Sequence, residues 1–341
     1  MLLIDGLYIN SYGGATILKL IIESIYKSQI KKVYFIFDKR LDHSIYSKIP
    51  SENYIVLDSS INQRKTFYLK NDSKFNSFLC LANVPPPIKI SEARVMIFFH
   101  NELFLKPLNS ELPLNLRLIN LFKKIFILFN NKSDYVWLVQ TDLMKRKLNE
   151  NFRIKSQKIS VTPIFSSQKK NNLIKKYNYS FVYISSNATH KNHKNLIQAF
   201  INVAKKINEN ITLDLTIQID HFENVKIPKN LLINFHGKID QAKVFELYEK
   251  VTYSIFPSLH ESFGLPLIEA SNYGCKVIAS NLPYVHEIIR PSLTFDPYSV
   301  ESISDSILKA VEIDNLPETK VLVENKLDNF IDFIISQDVQ R

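Results

Sequence analysis

Short apolar runs alternate with amphipathic stretches along the first half of the chain. The apolar runs predict strands at residues 2–4, 32–38, 54–57, 94–99 and 135–140. Helical periodicity predicts helices at residues 15–27, 116–130 and 141–150. Because strands that alternate with helices build parallel sheets, this half is predicted to be an α/β domain.

The same alternation restarts after an extended, proline-marked segment at residues 159–163 and the polar stretch 166–172, which we interpret together as a link between domains. Strands are then predicted at 179–185, 213–220, 231–236, 253–256 and 276–279, and helices at 195–208, 241–251 and 265–273. We therefore predict an α/β fold of two Rossmann-like domains that face each other across a cleft. Their predicted bounds are 1–163 and 164–317, and residues 318–341 are expected to form a C-terminal helix that crosses back to the first domain.

Composition excludes several classes of protein. The chain has 341 residues, of which 45% are hydrophobic and 22% charged, as is typical of folded globular domains. No apolar run approaches the ~18 residues of a membrane span, and the first residues lack the pattern of a signal peptide. Cys80 and Cys275 suggest neither a disulfide framework nor a zinc site. We expect a cytoplasmic protein.

The net charge of +10 is concentrated in the first half. Residues 1–162 carry 24 Lys and Arg against 13 Asp and Glu, whereas residues 163–341 carry 19 against 20. A basic half suggests an anionic partner, which is a membrane surface, a phosphorylated substrate or nucleic acid. Nucleic acid is disfavoured, because the excess is mostly lysine and no nucleic-acid-binding motif is present. Solvated lysines without a partner are the alternative.

One amphipathic segment is suited to such an interaction. Residues 117–132 interleave four basic residues with an apolar stripe. The basic residues are Arg117, Lys123, Lys124 and Lys132, and the stripe consists of Leu118, Leu121, Phe122, Ile125 and Phe129. In one interpretation the lysines meet the head groups of an anionic membrane. In the other, which the pattern of the stripe slightly favours, the helix packs on its own sheet.

Glycine is scarce, and its positions are therefore informative. Average usage of about 7% predicts about 24 glycines in this length, yet the chain has six. Such a sequence should keep glycine where the backbone needs a positive φ or a close approach. Five of the six fall in two short windows and a strand-end loop, which we treat as candidate sites. They are Gly13, Gly14, Gly237, Gly264 and Gly274.

The richest window spans residues 257–270, which read Pro-Ser-Leu-His-Glu-Ser-Phe-Gly-Leu-Pro-Leu-Ile-Glu-Ala and follow an apolar strand. A helix is predicted to start near Leu265, with a proline in its first turn. The N–H groups at that start form an anion site, which Gly264 lets a phosphate approach. Glu261 and Glu269 suit the recognition of hydroxyl groups. The alternative is a capping loop, with Glu269 as a solvated helix residue.

This window, with its glutamates eight positions apart, resembles the nucleotide-sugar motif of the family-four retaining glycosyltransferases of GT-B architecture. Further similarity lies in residues 190–200, 235–239 and 274–281. The first of these resembles the lysine-bearing loop and helix of that family, and the second resembles its base-binding strand and loop. The similarity is dense from 180 to 312 and weaker in the first half of the chain.

The resemblance implies roles for single residues. Lys191 would neutralise the diphosphate leaving group, Glu261 would hold hydroxyls of the donor sugar, and Glu269 those of the ribose. His100 would lie beside the donor sugar, and Gly13-Gly14 would let the first loop close over donor and acceptor. The implied catalytic residues are Glu261, His100 and Lys191. The implied donor-binding residues are Gly13, Gly14, Lys191, His236, Gly237, Ser262, Phe263, Gly264, Leu265 and Glu269.

The sequence departs from the family at one phosphate contact. Many members carry an arginine at the end of the strand before the lysine, where this chain has Ser185-Ser186. Either Lys194 or another group replaces that cation, or diphosphate binding is weaker. Lys194 is also the alternative to Lys191 as the lysine that binds the diphosphate. For His100 the alternative is a structural role, which is common for a histidine at the end of a strand.

No Asp-x-Asp sequence occurs, so neither a metal nor another cofactor is expected. The resemblance implies a retaining, metal-independent transferase that moves a hexosyl or deoxyhexosyl group from a nucleotide sugar to a lipid-linked glycan. Bacterial O-antigen, capsule or exopolysaccharide biosynthesis at the inner face of the cytoplasmic membrane is the implied setting. Residues 1–163 would then be the acceptor side, and 164–317 would bind the nucleotide sugar. The alternative is a non-catalytic partner subunit of the same fold that binds nucleotide sugar without turnover.

Overall fold

The computed structural model of the chain describes residues 1–10, 12–30, 32–105, 114–168, 177–218, 226–313 and 315–336. The chain forms two compact units. Unit 1 consists of Met1–Ser166 together with Glu324–Arg341, and unit 2 consists of Ser167–Val323. Unit 1 is thus built from both ends of the sequence.

Unit 1 contains a seven-stranded sheet in which every pairing is parallel. Its strands are β1 (Leu2–Asp5), β2 (Val33–Asp38), β3 (Tyr54–Leu57), β4 (Ser77–Cys80), β5 (Arg94–Phe98), β6 (Val136–Val139) and β7 (Ile159–Val161). They lie in the order β3-β2-β1-β4-β5-β6-β7. Most residues of the central strands are buried. Parallel strands covered on both faces read as continuous apolar runs, and for that reason the sequence pattern located most of them.

The helices of unit 1 are α1 (Tyr12–Lys27), α2 (Ile61–Asn71), α3 (Leu114–Asn130), α4 (Asp142–Phe152) and α10 (Leu327–Ile335). Side-chain caps define where two of them begin. The Ser60 side chain accepts a hydrogen bond from the Gln63 N–H at the start of α2. The Thr141 side chain accepts one from the Met144 N–H at the start of α4. Both caps satisfy backbone donors that the first helical turn leaves without partners.

The last helix, α10, packs into unit 1. Phe330 and Ile334 are fully buried, and the ring of Phe330 meets that of Phe98 edge-on, with 5.9 Å between the centroids. The Arg94 guanidinium lies 4.0 Å from the centroid of the Phe333 ring, which is a cation–π contact. The helix is therefore part of the apolar core of this unit.

The first part of the segment interpreted as a link between domains is an edge strand of unit 1. β7 pairs with β6 in the register Trp137↔Ile159 and Val139↔Val161, and the Thr162 N–H donates to the carbonyl of Val139 at 2.7 Å. Residues 159–161 thus belong to the sheet of unit 1, and the boundary between the units, after Ser166, falls in the polar part of the predicted link. An edge strand needs only one hydrogen-bonded neighbour, and in this one only Ile159 is buried.

Unit 2 repeats the plan with a second parallel sheet. Its strands are β8 (Tyr177–Tyr183), β9 (Ile211–Leu215), β10 (Leu231–Phe235), β11 (Val251–Phe256), β12 (Lys276–Ser280), β13 (Ile289–Arg290), β14 (Leu293–Phe295) and β15 (Lys320–Val321). Its helices are α5 (His193–Ala204), α6 (Gln241–Lys250), α7 (Leu265–Asn272), α8 (Pro283–Ile288) and α9 (Val300–Glu312). Six strands pair in the order β10-β9-β8-β11-β12-β14, and β13 and β15 form a separate antiparallel pair. The predicted class, two α/β units each built on a parallel sheet, is confirmed.

Candidate functional site

Two loops of unit 2 meet at the carboxyl ends of neighbouring parallel strands. β8 and β11 pair with each other, and the loops that follow them cover residues 184–192 and 257–264. In open α/β sheets, ligands bind outside the carboxyl ends of the strands. The candidate site is therefore built where these two loops come together.

Hydrogen bonds join the two loops directly. The Leu259 N–H donates to the carbonyl of His190 at 2.8 Å. The buried Tyr183 hydroxyl donates to the carbonyl of Lys191 at 3.0 Å, and it lies 2.8 Å from the hydroxyl of Ser258. Because its carbonyl is held in this way, Lys191 has a fixed backbone position opposite the second loop.

Lys191 and Glu261 form an ion pair across the two loops, with Nζ donating to Oε1. Their side chains are 15% and 13% exposed, so water screens the pair only in part. Burial, and after it the negative charge of Glu261, raises the pKa of Tyr183 well above its usual value, so the hydroxyl that holds Lys191 stays protonated. The pair offers a cation to an anionic ligand and a carboxylate to hydroxyl groups.

The second loop ends at the start of a helix. Gly264 caps α7 with a φ of +79°, which L side chains rarely adopt, and Pro266 lies in the first turn. The first N–H groups of a helix have no acceptors within it, and the helix dipole is positive at this end. The helix start therefore favours a phosphate group. Of the neighbouring residues predicted to bind the donor, Phe263 is buried, and Ser262 and Leu265 are half-buried.

Glu269 lies further along α7 and is held by a residue that the sequence analysis did not identify. The amide of Gln241 donates to its Oε1 at 3.0 Å. Burial raises the pKa of Glu269 to about 7, and the hydrogen bond from Gln241 acts in the opposite direction. Gln241 begins α6, and its contact joins two helices. No local pattern in the sequence could have revealed it.

His236 and Gly237 lie at the end of β10. The Nε2 atom of His236 lies 2.6 Å from Oδ1 of Asp214 on β9, and that oxygen also accepts a hydrogen bond from the Asn234 amide at 3.0 Å. Gly237 has a φ of +64°, and its N–H donates to the carbonyl of Ile217 at 3.1 Å. The His236 ring thus ties β10 to β9, and the donor-binding role of these two residues stays a prediction.

A neutral pair occupies the place of the family's arginine. The hydroxyl of Ser185 lies 2.8 Å from Nε2 of His193, the first residue of α5. Burial, followed by the positive charge of Lys191, lowers the pKa of His193 to about 4. The ring is therefore neutral at pH 7 and supplies no charge in place of the arginine. Lys194 is exposed, whereas Lys191 lies at the site beside Glu261.

Unit 1 brings two of the predicted residues together. A methyl group on Gly14 would lie 3.4 Å from Nε2 of His100. His100 comes two residues after β5, and its N–H donates to Oδ1 of Asn83 at 2.6 Å. Burial lowers the pKa of His100 to about 4, so the ring is neutral at pH 7. A neutral imidazole offers one hydrogen-bond donor and one acceptor, which suits a sugar hydroxyl.

The sequence suggested that Gly13 and Gly14 lie in a loop. In the structure they lie in the first turn of α1, which begins at Tyr12. A methyl group at Gly13 would contact nothing within 4 Å, whereas one at Gly14 would lie 3.5 Å from Ile9. The placement of the two glycines in a loop was therefore wrong, and their role over donor and acceptor stays a prediction. The first turn tolerates glycine because its N–H groups make no helical hydrogen bonds. The two glycines form a helix start with little steric bulk, and Gly14 lies beside His100.

The residues of this site lie in a part of the chain that is similar to known proteins. Residues 165–326 match the family described as glycosyl transferases group 1. The O-antigen chain mannosyltransferase B of Escherichia coli is 32% identical over 87 residues, which are 25% of this chain and 23% of that protein. The O-antigen chain mannosyltransferase RfbU of Salmonella typhimurium is 26% identical over 179 residues, 50% of this chain and 48% of that one. The chain thus spans less than half the length of these curated relatives.

Solved structures resemble the chain over nearly its whole length. WaaG, a glycosyltransferase involved in lipopolysaccharide biosynthesis, superimposes with a TM-score of 0.70 at 14% identity and covers 98% of this chain and 99% of its own. HepE of Anabaena, solved with UDP and glucose, gives a TM-score of 0.66 at 12% identity. The match covers 99% of this chain and 97% of HepE. At these identities the likeness shows the fold alone, and that fold is GT-B, as predicted.

Proposed function

We propose, from the premise that residues 165–326 belong to the family of glycosyl transferases group 1, that the chain is a retaining glycosyltransferase that uses a nucleotide-activated sugar. The observation that carries the proposal is the Lys191–Glu261 pair, held between two loops at the end of the sheet. The start of α7, which favours phosphate, follows the same loop. Cation, carboxylate and helix start are the groups that a sugar diphosphate requires.

Each polar group of this site matches one part of the donor. Lys191 would exchange its contact with Glu261 for the diphosphate, and Glu261 would then accept hydrogen bonds from hydroxyls of the sugar. The N–H groups around Gly264 would bind the phosphate oxygens, and Glu269 would accept from the ribose hydroxyls. In unit 1, we assign neutral His100 to a hydroxyl of the sugar.

The proposed transfer needs little chemistry from the protein beyond charge stabilisation. The bond between the anomeric carbon and the diphosphate oxygen breaks, and the acceptor oxygen bonds to the anomeric carbon on the same face. The acceptor's proton passes to the departing phosphate oxygen. Lys191 stabilises the negative charge that develops on the diphosphate, and such an interaction contributes about 10²–10³-fold to the rate. Glu261 orients the sugar and forms no covalent intermediate.

We propose that the transfer is independent of metal. The sequence has no Asp-x-Asp, and the described residues hold no cluster of three or more His, Cys, Asp or Glu that is suited to a metal ion. We assign the neutralisation of phosphate charge to Lys191 and the start of α7 instead, which supply a cation and backbone N–H groups. Turnover in an excess of chelator is the expected result.

For the substrates, the relatives give the first choices. Two of them are named as O-antigen chain mannosyltransferases, so nucleotide-activated mannose is the first donor to test. A lipid-linked glycan in the synthesis of O-antigen or another surface polysaccharide is the proposed acceptor. The neutral Ser185–His193 pair, in place of an arginine, favours one second candidate, which is a partner subunit that binds the donor without turnover.

A two-step experiment separates these functions. A panel of UDP and GDP sugars is first screened for a rise in melting temperature, since a selective ligand stabilises the folded protein by mass action. The stabilising donor is then incubated with glycan acceptors, and the anomeric configuration of the product is read by NMR. A transferase of the proposed kind gives a product with the donor's configuration. An inverted product contradicts the retaining mechanism, and stabilisation without any product favours the partner subunit.

A further inference from the structure

A buried asparagine lies beside His100 in unit 1. Asn83 comes three residues after β4, in the connection to β5, and it is only 5% exposed. β4 and β5 are neighbouring parallel strands, so their carboxyl ends lie at the same edge of the sheet. Asn83 therefore reaches His100, which comes two residues after β5. No local sequence pattern points to this contact, because it joins the ends of two strands.

Both ends of the Asn83 amide reach His100. Its Oδ1 accepts the His100 N–H at 2.6 Å, and this bond fixes the orientation of the amide, because the NH₂ group has no lone pair to offer. The amide Nδ2 consequently lies on the side of the ring, 3.5 Å from Nε2 of His100. The neutral ring carries one proton. A donor opposite Nε2 favours the state in which that proton is on Nδ1.

The backbone next to Asn83 is held by a buried arginine. Nη1 of Arg64 donates to the carbonyl of Pro85 at 2.8 Å, and Nη2 donates to the carbonyl of Val84 at 3.4 Å. The Arg64 side chain is 2% exposed, and its Nε donates to Oδ2 of Asp5 at 2.7 Å. A buried ion pair is costly to break, because either partner alone would be an unpaired charge. The two residues that follow Asn83 therefore have a fixed backbone position.

The backbone conformation of Asn83 offers a second explanation for an asparagine at this position. Its φ is +69°, in the left-handed region, which asparagine adopts more readily than most residues. Glycine adopts the same conformation at least as easily, but it has no amide. The two contacts with His100 depend on the amide. Replacement of Asn83 by glycine therefore separates a role in the backbone from a role towards His100.

We propose that Asn83 is a positioning residue that holds the His100 ring in one orientation, with its proton on Nδ1. This role rests on the proposed function, in which the neutral ring meets a hydroxyl of the donor sugar. Moving the proton to the other nitrogen would exchange the donor and the acceptor of the ring. With one tautomer fixed, every molecule offers the sugar the same hydrogen bond, and no free energy is spent on selecting it during the reaction. Asn83 acts through His100.

NMR of the histidine rings tests this proposal without donor or turnover. Protonated and unprotonated ring nitrogens differ in their ¹⁵N chemical shifts, so the full chain labelled at histidine reports the tautomer at pH 7. The variant His100→Gln assigns the signal by its absence. The test variants are Asn83→Gly and Asn83→Asp. The matched control is Gln29→Gly, since Gln29 is an exposed residue with a φ of +55° beyond the far end of α1. Melting temperatures verify that each variant folds.

The wild type and the Gln29→Gly control should carry the His100 proton on Nδ1. In Asn83→Asp a carboxylate oxygen replaces the amide donor, so the proton should move to Nε2. In Asn83→Gly nothing selects a tautomer at Nε2, and the two forms should be mixed. With the stabilising donor and an acceptor, both variants should lose at least about 10-fold in kcat, as the second partner of a histidine ring typically contributes.

A proton on Nε2 in the wild type overturns the proposal. A folded Asn83→Gly that keeps the wild-type tautomer overturns it too, because the backbone conformation would then be the whole role of Asn83. So does an active wild type whose rate is unchanged in Asn83→Gly. A wild type that shows the expected tautomer but no turnover contradicts the proposed function instead and supports the contact between Asn83 and His100.

Discussion

Breaking the Lys191–Glu261 ion pair tests the site through both stability and activity. The substitutions are Lys191→Met, Glu261→Gln and the double variant, with the exposed neighbour Lys194→Met as the matched control. Each single substitution removes one partner of a charged hydrogen bond between two loops. The remaining group is left in a setting where its side chain has only 13% or 15% of its surface in water.

The expected loss of stability follows from that burial. A charge-assisted hydrogen bond contributes about 1.5–3 kcal/mol, and removing one partner of a fully buried pair costs ~3–5 kcal/mol. Because both side chains of the pair are partly exposed to water, we expect each single variant to lose about 2 kcal/mol of unfolding free energy. This corresponds to roughly 4–8 °C in melting temperature for a unit of this size. The double variant should lose clearly less than the sum, because no unpaired charge remains in it.

Turnover should respond differently from stability. Both single variants and the double variant should lose about 10²-fold or more in kcat, because each lacks a group that stabilises the diphosphate or orients the sugar. The control Lys194→Met should keep both its melting temperature and its rate. Thermal melts and nucleotide release give the two readouts. Additive stability losses would contradict the coupling of the two charges, and near wild-type rates in both single variants would contradict their role in the reaction.

Two further predictions follow from the same site. The raised pKa of Glu269, about 7 against 4.5, means that the folded state holds a proton that the unfolded state has lost between these pH values. Stability should therefore fall as pH rises from 4.5 to 7, and melting curves of Glu269→Gln should lack that part of the decline. An unchanged pH profile would count against the raised pKa of Glu269. The variant Ser186→Arg returns a cation to the family's position and should tighten nucleoside diphosphate binding about 10-fold by calorimetry, as one charged hydrogen bond would. Unchanged or weaker binding would show that the position does not face phosphate.

Most of the fold was predictable from the sequence and is confirmed, and residues 165–326 match the predicted family of glycosyltransferases. Strands such as β5 and β11 are continuous apolar runs, and burial on both faces of a parallel sheet produces that pattern. The window at 257–270 was recognisable because a positive φ at Gly264 and a proline in the first helical turn leave few alternatives. Features that depend on the local backbone conformation can be predicted from the neighbouring residues in the sequence.

The features that were missed depend on tertiary contacts. β7 is short and only partly apolar, so its place at the edge of a sheet left no periodic signal. Gln241 and His193 reach their partners across separate elements, and their neighbours in sequence do not indicate it. For α3, periodicity located the helix, but the side that faces solvent depends on the sheet beneath it.

Release of nucleoside diphosphate from the stabilising donor, measured by chromatography with a glycan acceptor and excess chelator, shows whether the chain is a metal-independent glycosyltransferase that uses Lys191 and Glu261. We expect acceptor-dependent release by the wild type and by Lys194→Met, and loss of about 10²-fold or more in Lys191→Met/Glu261→Gln. Release that requires added manganese would contradict the metal-independent mechanism. Release that persists in the double variant would contradict the assignment of Lys191 and Glu261 to the reaction.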